Sequence, residues 1–455
     1  MSAPSRRRAS RAGEPDWDTG AGAARVVREN GIWRVRSLEA ARQVLRARRQ
    51  TSQAGFTAEW IPRGWFRHHP ILISDGPEHD AQRSKVARFF APSVMTERYL
   101  ATMERTADHL LDEVADAESF PLDELALLFT VEVTAEVVGL TRTPTAAETA
   151  RRRIRSAVFG VGDHPRAGSD HTRAMARRLT AFFRQPPFDL SKPRLGRSGR
   201  QWATAAARGL VPIVGFHLAD VRPAIRQRRR RPGDDIISHL IAEGHTDADI
   251  LVECVTYGTA GMVTTREFIT MAAWHLLTDQ ALGDAYRAAE PEGRRAVLAE
   301  ILRLEPVVGH LYRRVTAPFT VTDGDRAWTI PAGDLVDVAV RQANTDPRAI
   351  TDDPGALCPG RSMPSGVQAT GLTFGDGAHK CPGQPLALLE AEVLISRLLD
   401  RAPVVVTEPT IAEPTVEWAD LIEGYVVRGL RLRLMASPGR VKSPGGTAGS
   451  SGGTP

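Results

Sequence analysis

The residues best suited to chemistry in this chain lie around Cys381, within residues 374–383, which read F-G-D-G-A-H-K-C-P-G. Gly375 and Gly377 precede the cysteine, and an amphipathic run follows it from Leu386 to Leu399. Glycines permit positive φ and a close approach of the backbone. Backbone N–H groups that converge on a sulfur, together with the N-terminus of a following helix, stabilise a thiolate. A thiolate placed in this way is a soft ligand for iron.

A lone cysteine in a glycine-rich turn is most often a small buried apolar residue, so the complete pattern around it matters. The ten residues resemble the haem-binding loop of the cytochrome P450 family, F-G-x-G-x-H-x-C-x-G, with every fixed position filled. The resemblance implies that Cys381 is the axial thiolate ligand of a haem b iron. It also implies that Phe374, His379 and Gly383 belong to the cofactor-binding site.

Two further stretches resemble the family's haem-propionate contacts. His79 and Arg83 stand four residues apart, so on a helix they share one face, although a surface pair is the plainer interpretation. Their segment, D-G-P-E-H-D-A-Q-R, is similar to the family's D-P-P-E-H-T-R-L-R, whose histidine and arginine hold the propionates. Arg314, in R-V-T, aligns with a third propionate-binding residue, and Arg313 is its adjacent competitor.

The E-x-x-R segment at Glu300 and Arg303 carries no information alone, because such ion pairs are common on helices. Here it precedes Pro306 and a predicted β region, as it does in the family. The P-G-R segment that ends at Arg361 matches the third member of a family cluster in order and place. The resemblance makes these three residues a structural triad rather than catalysts.

A long helix is predicted from a cap at Thr246 to about Leu277, and residues 260–265 in it read A-G-M-V-T-T. Close packing of small residues against another helix is one explanation of that composition. A glycine also thins a helix so that a ligand can approach, and a threonine hydroxyl can bond to the carbonyl four residues back and bend the helix. The segment resembles the family's oxygen-activation motif. Ala260, Gly261 and Thr264 are therefore the implied catalytic residues, with Thr264 assisting oxygen activation.

This helix departs from the family at Val263, where an aspartate or glutamate is usual. A proton relay through a carboxylate is unavailable there, so water or a substrate hydroxyl would have to replace it. Glu253 and Tyr257 lie on the same helical face as Thr264, and we hypothesise that they contact a polar substrate. The alternative is that Tyr257 is packed and Glu253 solvated.

The remaining pocket walls are inferred from position alone. The resemblance places them in the loop between Gln53 and Arg67, in Val307 to Leu311 and in Trp418 to Ile422. These regions vary widely within the family, so they do not name a substrate.

The elements that must position these residues are mostly helical. Met103, Ala107, Leu110 and Val114 recur at helical spacing, and a second helix is expected from Pro121 to Val138 with a stop at Gly139. Strands are expected at residues 318–322, 328–330, 335–340 and 425–434. Residues 1–20 and 437–455 have the composition of disordered tails, which leaves one domain over residues 21–436. The expected fold is mainly α, a cytochrome P450 fold with a small discontinuous β subdomain.

Composition narrows the class of protein. Hydrophobic content of 42% and charged content of 25% are ordinary for a globular protein. The net charge of +5 comes with arginine runs that lack interleaved aromatics, so we expect no nucleic-acid partner and favour an acidic protein partner. Three cysteines form no paired framework, and no apolar run reaches membrane-helix length, so a cytoplasmic protein without a membrane anchor is expected.

The resemblance implies a bacterial haem-thiolate monooxygenase that hydroxylates or otherwise oxidises a small organic molecule, with a secondary metabolite as the expected substrate. No flavin or nicotinamide fingerprint is present, so ferredoxin and ferredoxin reductase are the expected electron donors, with Lys380 and Arg88 as candidate contacts. Two alternatives stay open. One is a haem-thiolate enzyme that runs peroxide-driven, coupling, nitration or rearrangement chemistry. The other is a non-catalytic haem or ligand-binding protein on the same fold.

Overall fold

The computed structural model describes residues 11–12, 24–55, 67–141, 170–183, 211–406, 414–419 and 422–435. Helices dominate these ranges, in agreement with the mainly α fold predicted. The α-helices are α1 (Leu38–Arg46), α2 (Gly76–Ala87), α3 (Pro92–Val94), α4 (Leu100–Glu113), α5 (Leu122–Val138), α6 (Asp170–Phe183), α7 (Arg222–Arg230), α8 (Ile236–Ala242), α9 (Asp247–Gly258), α10 (Thr264–Thr278), α11 (Gln280–Ala288), α12 (Pro291–Leu304), α13 (Val340–Asn344) and α14 (Gln384–Leu399). Turns of π-helix occupy Met95–Tyr99, His217–Val221 and Thr259–Val263, and 3-10 turns occupy Arg88–Phe90 and Gly377–His379.

The strands form several small sheets. They are β1 (Arg11–Ala12), β2 (Val26–Glu29), β3 (Ile32–Val35), β4 (Thr51–Ala54), β5 (Phe120–Pro121), β6 (His310–Val315), β7 (Phe319–Asp323), β8 (Arg326–Ile330), β9 (Leu335–Ala339), β10 (Pro403–Val405), β11 (Thr415–Ala419), β12 (Gly424–Arg428) and β13 (Arg431–Leu434). The largest sheet has the order β2-β3-β9-β6-β4, and the others are β1-β11-β12, β10-β13-β5 and β7-β8. The strands of the largest sheet come from residues 26–54 and 310–339, so this sheet is discontinuous in the chain.

Two of the predicted helices appear where their apolar spacing placed them. Met103, Ala107 and Leu110 are buried on α4. The next helix, α5, begins directly after Pro121 and ends at Gly139, whose φ of 90° is a left-handed conformation that glycine adopts without strain. Both helices contribute to one large apolar core, which α10, α12 and α14 share.

The long helix predicted from Thr246 to about Leu277 is present but interrupted. Thr246 and Asp249 form a complete capping box at the start of α9. The π-helical turn Thr259–Val263 then separates α9 from α10. Such turns leave backbone groups without the regular helical partner and often occur at functional sites.

The strand expected at residues 425–434 is in fact two strands. Gly429 has a φ of 73°, which an extended strand cannot accommodate, and it separates β12 from β13. The two strands belong to different sheets, because β12 pairs with β11 while β13 pairs with β10 and β5. The three strands expected at 318–340 are confirmed as β7, β8 and β9.

Only a small part of the predicted tails lies within the described residues. β1 lies within residues 1–20, where a disordered tail was expected, and it pairs in parallel with Val416 and Glu417 of β11. The rest of that tail and residues 437–455 lie outside the described residues. None of the helices in the described ranges is both long and apolar enough to cross a membrane.

Candidate active site around Cys381

The cysteine loop closes on itself before helix α14. The backbone N–H of Cys381 donates a 2.8 Å hydrogen bond to the carbonyl of Phe374. Gly375 and Gly377 have φ values of 73° and 72°. A Cβ at Gly377 would lie 2.5 Å from the carbonyl oxygen of Leu45, so this glycine lets the loop lie directly against the end of α1. The two glycines of the pattern are therefore needed for conformation and for close approach.

Ion pairs fix the same loop to α1. Asp376 accepts from the Nε of Arg42 at 3.1 Å and from the Nε of Arg46 at 2.9 Å. Burial raises the pKa of Asp376, but the Gly377 N–H and the two arginines outweigh it and hold that pKa below its usual value. Sequence reasoning missed this contact, because nothing in the spacing of residues 42 and 376 relates them. The loop is thus positioned from outside as well as by its own hydrogen bond.

The surroundings of the Cys381 sulfur shift the pKa of its thiol in opposite directions. Burial raises the pKa of the thiol, while the N–H groups of Gly383 and Gln384 and the charges of Arg83 and Lys380 lower it. The predicted convergence of N–H groups at the start of α14 is therefore present. Burial outweighs the other groups, so the pKa of the thiol lies above its usual value. A bound metal cation would favour the thiolate, since a coordinating thiol is deprotonated outright.

His79 and His379 meet beside the cysteine loop. His79 is buried on α2, and its ring centroid lies 4.2 Å from that of His379. Burial and the neighbouring His379 lower the pKa of His79 to about 4. His379 in turn contacts Asp75, with 2.9 Å between its Nε2 and a carboxylate oxygen. The structure therefore brings together two predicted site residues that are 300 positions apart.

Arg83 also faces the loop from α2. Its guanidinium donates to the carbonyl oxygen of Lys380, the residue before the cysteine. His79 and Arg83 thus lie on the same face of one helix, as their spacing predicted, and that face is directed at the cysteine loop.

The structure favours Arg313 over Arg314 at the third predicted propionate contact. Arg314 is half-exposed on β6 and donates a 3.1 Å hydrogen bond to the carbonyl of Gly333. Arg313 is buried, and burial lowers its pKa to about 10 against the opposing charge of Asp75. Since successive strand residues point to opposite faces, only one of the pair can be directed at the Asp75 and His379 cluster. Arg314 therefore stays a prediction from the alignment of R-V-T, and burial makes Arg313, its named competitor, the stronger candidate.

The predicted triad is assembled. Glu300 pairs with Arg303 through two 2.7 Å hydrogen bonds, and Arg361 reaches the same carboxylate at 3.3 Å. The Cys358 N–H also donates to Glu300 at 3.0 Å, and Arg303 donates to the carbonyls of Asn344 and Pro354. These contacts attach the segment before the cysteine loop to α12, which supports a structural role.

The interrupted helix presents two of its predicted catalytic residues on an accessible side. Thr264 is half-exposed, and its hydroxyl donates to the carbonyl of Ala260, which is itself exposed. This is the predicted bond to the carbonyl four residues back, and it lies at the π-helical turn. Val263, in contrast, is buried.

Gly261 makes the close contact with another helix that was the alternative explanation of this small-residue segment. A Cβ there would lie 2.9 Å from the Oγ1 and 3.3 Å from the Cγ2 of Thr134 on α5. The missing side chain therefore admits helix α5, rather than only thinning the helix for a ligand. One turn earlier on α5, Thr130 donates a 3.0 Å hydrogen bond to the carbonyl of Met262, which supplies a partner to the interrupted turn.

Glu253 and Tyr257 line a separate cavity of about 190 Å³. Glu253 is buried rather than solvated, accepts the Ile71 N–H at 2.7 Å, and has its pKa raised by burial to about 7. Ala260, Thr264 and Cys381 are absent from the described residues that line this cavity. The hypothesis that Glu253 contacts substrate beside Thr264 therefore remains a prediction that this cavity does not support.

Parts of the predicted pocket walls can be located. Gly309 and Gly424 lie so close to the opposite backbone that a Cβ would fall 2.0 Å from the carbonyl oxygen of Glu423 and 2.1 Å from that of Val307, respectively. The segment 307–311 thus packs against the turn between β11 and β12. Residues 56–66 of the predicted wall between Gln53 and Arg67 lie outside the described residues, as does the side chain of Trp418.

Comparison with known proteins identifies the family. A family model described as cytochrome P450 matches residues 294–421, which include Glu300 and Cys381. Erythromycin C-12 hydroxylase of Saccharopolyspora erythraea is 30% identical over 336 residues, covering 72% of this chain and 71% of that protein. The chain belongs to the cytochrome P450 family.

Other relatives of this cytochrome P450 agree with the assignment. Cytochrome P450 130 of Mycobacterium tuberculosis is 33% identical over 247 residues, which are 52% of this chain and 55% of that relative, so the match spans about half of it. The solved structure of a mutant of P450 EryK in complex with erythromycin B has a TM-score of 0.69 and 24% identity, covering 94% of this chain and 97% of that one. That likeness shows the cytochrome P450 fold.

A haem cofactor follows from the family, and the residues around Cys381 fit one. Arg313 is a buried cation with no carboxylate within ion-pair distance in the described part of the chain, and it donates to the carbonyl of Tyr312. A buried cation with no carboxylate in contact is costly, so an anionic ligand group is favoured beside it. The sulfur donor, Arg83 and Arg313 together match a ligand with an iron centre and carboxylate edges.

Proposed function

We propose that this cytochrome P450 is a haem-thiolate monooxygenase that uses dioxygen and external electrons to hydroxylate a small organic molecule. The observation that carries the proposal is the Cys381 loop, which presents a sulfur to the N-terminus of α14 and is held in place by Asp376. A thiolate-ligated haem, when bound, supplies the electron density at iron that favours cleavage of the O–O bond.

The chain's own residues would hold haem b from three directions. Cys381 is the iron ligand, with Phe374, His379 and Gly383 shaping its loop. His79 and Arg83 would contact the propionates from α2. Arg313 would do so from β6 in place of Arg314, because its guanidinium is the buried one.

Thr264 would hold and move a proton at its Oγ1. That hydroxyl now donates to the Ala260 carbonyl beside the π-helical turn, and rotation about χ1 would redirect it into the accessible space next to Ala260. Because Val263 provides no carboxylate, the proton that Thr264 passes on would come from water or from a substrate hydroxyl.

The electrons would come from a ferredoxin and its reductase. The candidate contacts are Lys380, which directly precedes Cys381, and Arg88, which is exposed and lies over the ring of Phe89 at 4.7 Å. An acidic partner protein would approach such a surface faster through long-range attraction. Raising the ionic strength should therefore slow reduction by the ferredoxin.

The substrate class is proposed from the relatives. They include erythromycin C-12 hydroxylase, nocardicin C N-oxygenase of Nocardia uniformis and pentalenic acid synthase of Streptomyces avermitilis. A secondary metabolite of similar kind is the corresponding substrate for this chain.

The test is turnover with a ferredoxin, its reductase and dioxygen, measured against turnover with peroxide alone. The monooxygenase proposal expects substrate-dependent consumption of reductant with matching product, and Thr264→Ala should lower the product formed per reductant consumed. Thr278→Ala is a matched control. The Thr278 hydroxyl makes the same kind of bond, at 2.7 Å, to the carbonyl four residues back on the exposed part of α10. Product from peroxide alone, with none from the electron-transfer chain, would reject it.

Val263 favours one second candidate, a haem-thiolate enzyme that runs peroxide-driven, coupling, nitration or rearrangement chemistry. In that case Thr264→Ala should leave the peroxide-driven rate unchanged. A haem or ligand-binding protein without catalysis would form no product under either condition.

A further inference from the structure

A cluster of three potential metal ligands lies at the N-terminal end of α9, away from the Cys381 loop. His68, His245 and Asp249 each offer one ligand atom, and these atoms all lie within 4.8 Å of one another. They come from three different segments: the stretch before α2, the loop between α8 and α9, and the first turn of α9. The haem-site residues described above are not members of this cluster.

The three side chains are already arranged closely. The imidazole rings of His68 and His245 are stacked, with centroids 4.1 Å apart and an angle of 21° between the planes. The Nδ1 of His68 lies 3.3 Å from the Oδ2 of Asp249. Metal–ligand bonds of about 2.0–2.2 Å in a tetrahedral zinc site place neighbouring ligand atoms roughly 3.3–3.5 Å apart. One pair therefore has the required separation, and His245 needs only a small movement.

Two buried polar atoms in the same place have no partner among the described residues. They are the Nδ1 of His245 and the Oε2 of Glu253. Buried polar atoms in proteins nearly always have a hydrogen-bond partner, so each exception needs an explanation. Glu253 follows Asp249 by one helical turn, and both His68 and His245 line the cavity that Glu253 lines. A cation bound at the cluster would supply the interaction that the Nδ1 of His245 and the Oε2 of Glu253 lack.

The carboxylate of Asp249 retains capacity for a metal. It accepts the N–H of Arg67 at 3.1 Å and that of Thr246 at 2.9 Å, besides the contact with His68. A carboxylate has about four lone-pair sites, so one remains.

We propose that His68, His245 and Asp249 bind a divalent transition-metal ion of the zinc type. Two imidazole nitrogens and one carboxylate oxygen suit zinc, whereas magnesium and calcium prefer oxygen ligands alone. The fourth position would be directed at the cavity, where a water molecule can bind beside Glu253. The ion would join the segment before α2 to the start of α9, and so would help to position α9 and the π-helical turn that leads to Thr264.

The experiment uses the haem-loaded full chain, treated with a chelator and dialysed into chelator-free buffer. Zinc chloride is titrated at pH 7.5 by calorimetry, with magnesium chloride in parallel, and zinc per chain is counted after gel filtration. We expect one zinc ion per chain that depends on the cluster, no magnesium binding, and weaker zinc binding at pH 5.5, because the imidazoles must be unprotonated.

The variants assign the site. His68→Gln and His245→Gln should each weaken zinc binding more than tenfold, while retaining haem and the helical circular-dichroism signal. His109→Gln is the matched control, since His109 lies on α4 beside Glu113 at 3.4 Å and should leave affinity unchanged. Absence of zinc binding in the wild type, or unchanged affinity in either cluster variant, overturns the proposal. Zinc held by the exposed thiol of Cys358 would give the second result.

The zinc-induced shift in Tm is a second, independent measurement, for use if a variant folds poorly. Zinc should raise the Tm of the wild type and of His109→Gln, since a ligand that binds only the folded state stabilises it. Equal zinc-induced shifts in the wild type and the cluster variants would count against the site.

Discussion

The cysteine loop and the interrupted helix, the two parts of the site proposed to bind haem and to activate oxygen, are held in different ways. The loop is fixed by charges: Asp376 pairs with Arg42 and Arg46, and Glu300 holds the preceding segment through Arg303 and Arg361. The helix is held by hydroxyl groups and close packing. Thr264 and Thr130 donate to carbonyls at the π-helical turn, and Gly261 admits α5.

The two regions also differ in whether their buried polar atoms have hydrogen-bond partners. Every carboxylate named on the cysteine side has partners, whereas Glu253 and Thr134 on the helix side each have one buried oxygen without a hydrogen-bond partner among the described residues. A rigid loop suits a residue that must hold one metal bond. A helix with spare polar groups suits a region that handles protons and ligands.

The largest effect is expected when the sulfur of the cysteine loop is removed. Cys381→Ser should reduce monooxygenase turnover to background, because the thiolate's electron donation to iron is lost. The ferrous carbonyl spectrum should lose its thiolate character. Cys358→Ser, which alters an exposed thiol, should behave as the wild type. Full activity in Cys381→Ser would end the haem-thiolate assignment.

A second test asks whether charges hold the cysteine side. Glu300→Gln should lower the free energy of unfolding by about 3–5 kcal/mol, because it leaves the fully buried Arg303 without its counter-charge. Denaturant titration measures this. The comparison variant Asp284→Asn removes an exposed i,i+3 partner of Arg287 and should cost ~0–1 kcal/mol. Equal costs in the two variants would contradict a buried electrostatic cluster.

A third test uses pH on the helix side. Burial raises the pKa of Glu253 from 4.5 to about 7, so the folded state favours its protonated form. Its contribution to stability is complete below about pH 4.5 and is lost as the pH rises through 7. Relative to the wild type, Glu253→Gln should therefore gain on the order of 2–3 kcal/mol in unfolding free energy between pH 5 and pH 8.

Chelator should be present in that measurement, so that metal at His68 and His245 does not alter the Glu253 carboxylate. Glu243→Gln is a suitable control, because its carboxylate lies at the surface and pairs with Lys85. A pH-independent difference between Glu253→Gln and the wild type would show that Glu253 is not desolvated.

The smallest expected effect concerns packing at the interrupted helix. Gly261→Ala should destabilise the protein by about 1–2 kcal/mol, since its Cβ would approach the Oγ1 of Thr134 to 2.9 Å. Thr134→Ala should remove most of that cost when the two substitutions are combined in a double-mutant cycle. Additive costs would show that Gly261 does not make room for α5.

Spacing predicted those features whose cause is local. The Cys381 loop, the shared face of His79 and Arg83, the bond from Thr264 to Ala260 and the capping box at Thr246 all involve residues within ten positions of each other. Strand facing and helix contacts could not be predicted in this way. Arg313 rather than Arg314 is buried, and Gly261 meets Thr134, because elements distant in the chain pack there.

The amino-acid sequence was enough to predict the family, the mainly α fold, the residue proposed as iron ligand and the position of the interrupted helix, because each of these depends on short patterns of neighbouring residues. Only the tertiary structure decided that Asp376 is bound to α1, that one arginine of the pair is buried, that Glu253 is desolvated, and that His68, His245 and Asp249 converge. Burial, charge pairing and metal geometry depend on the distances between segments, and packing of the segments sets those distances.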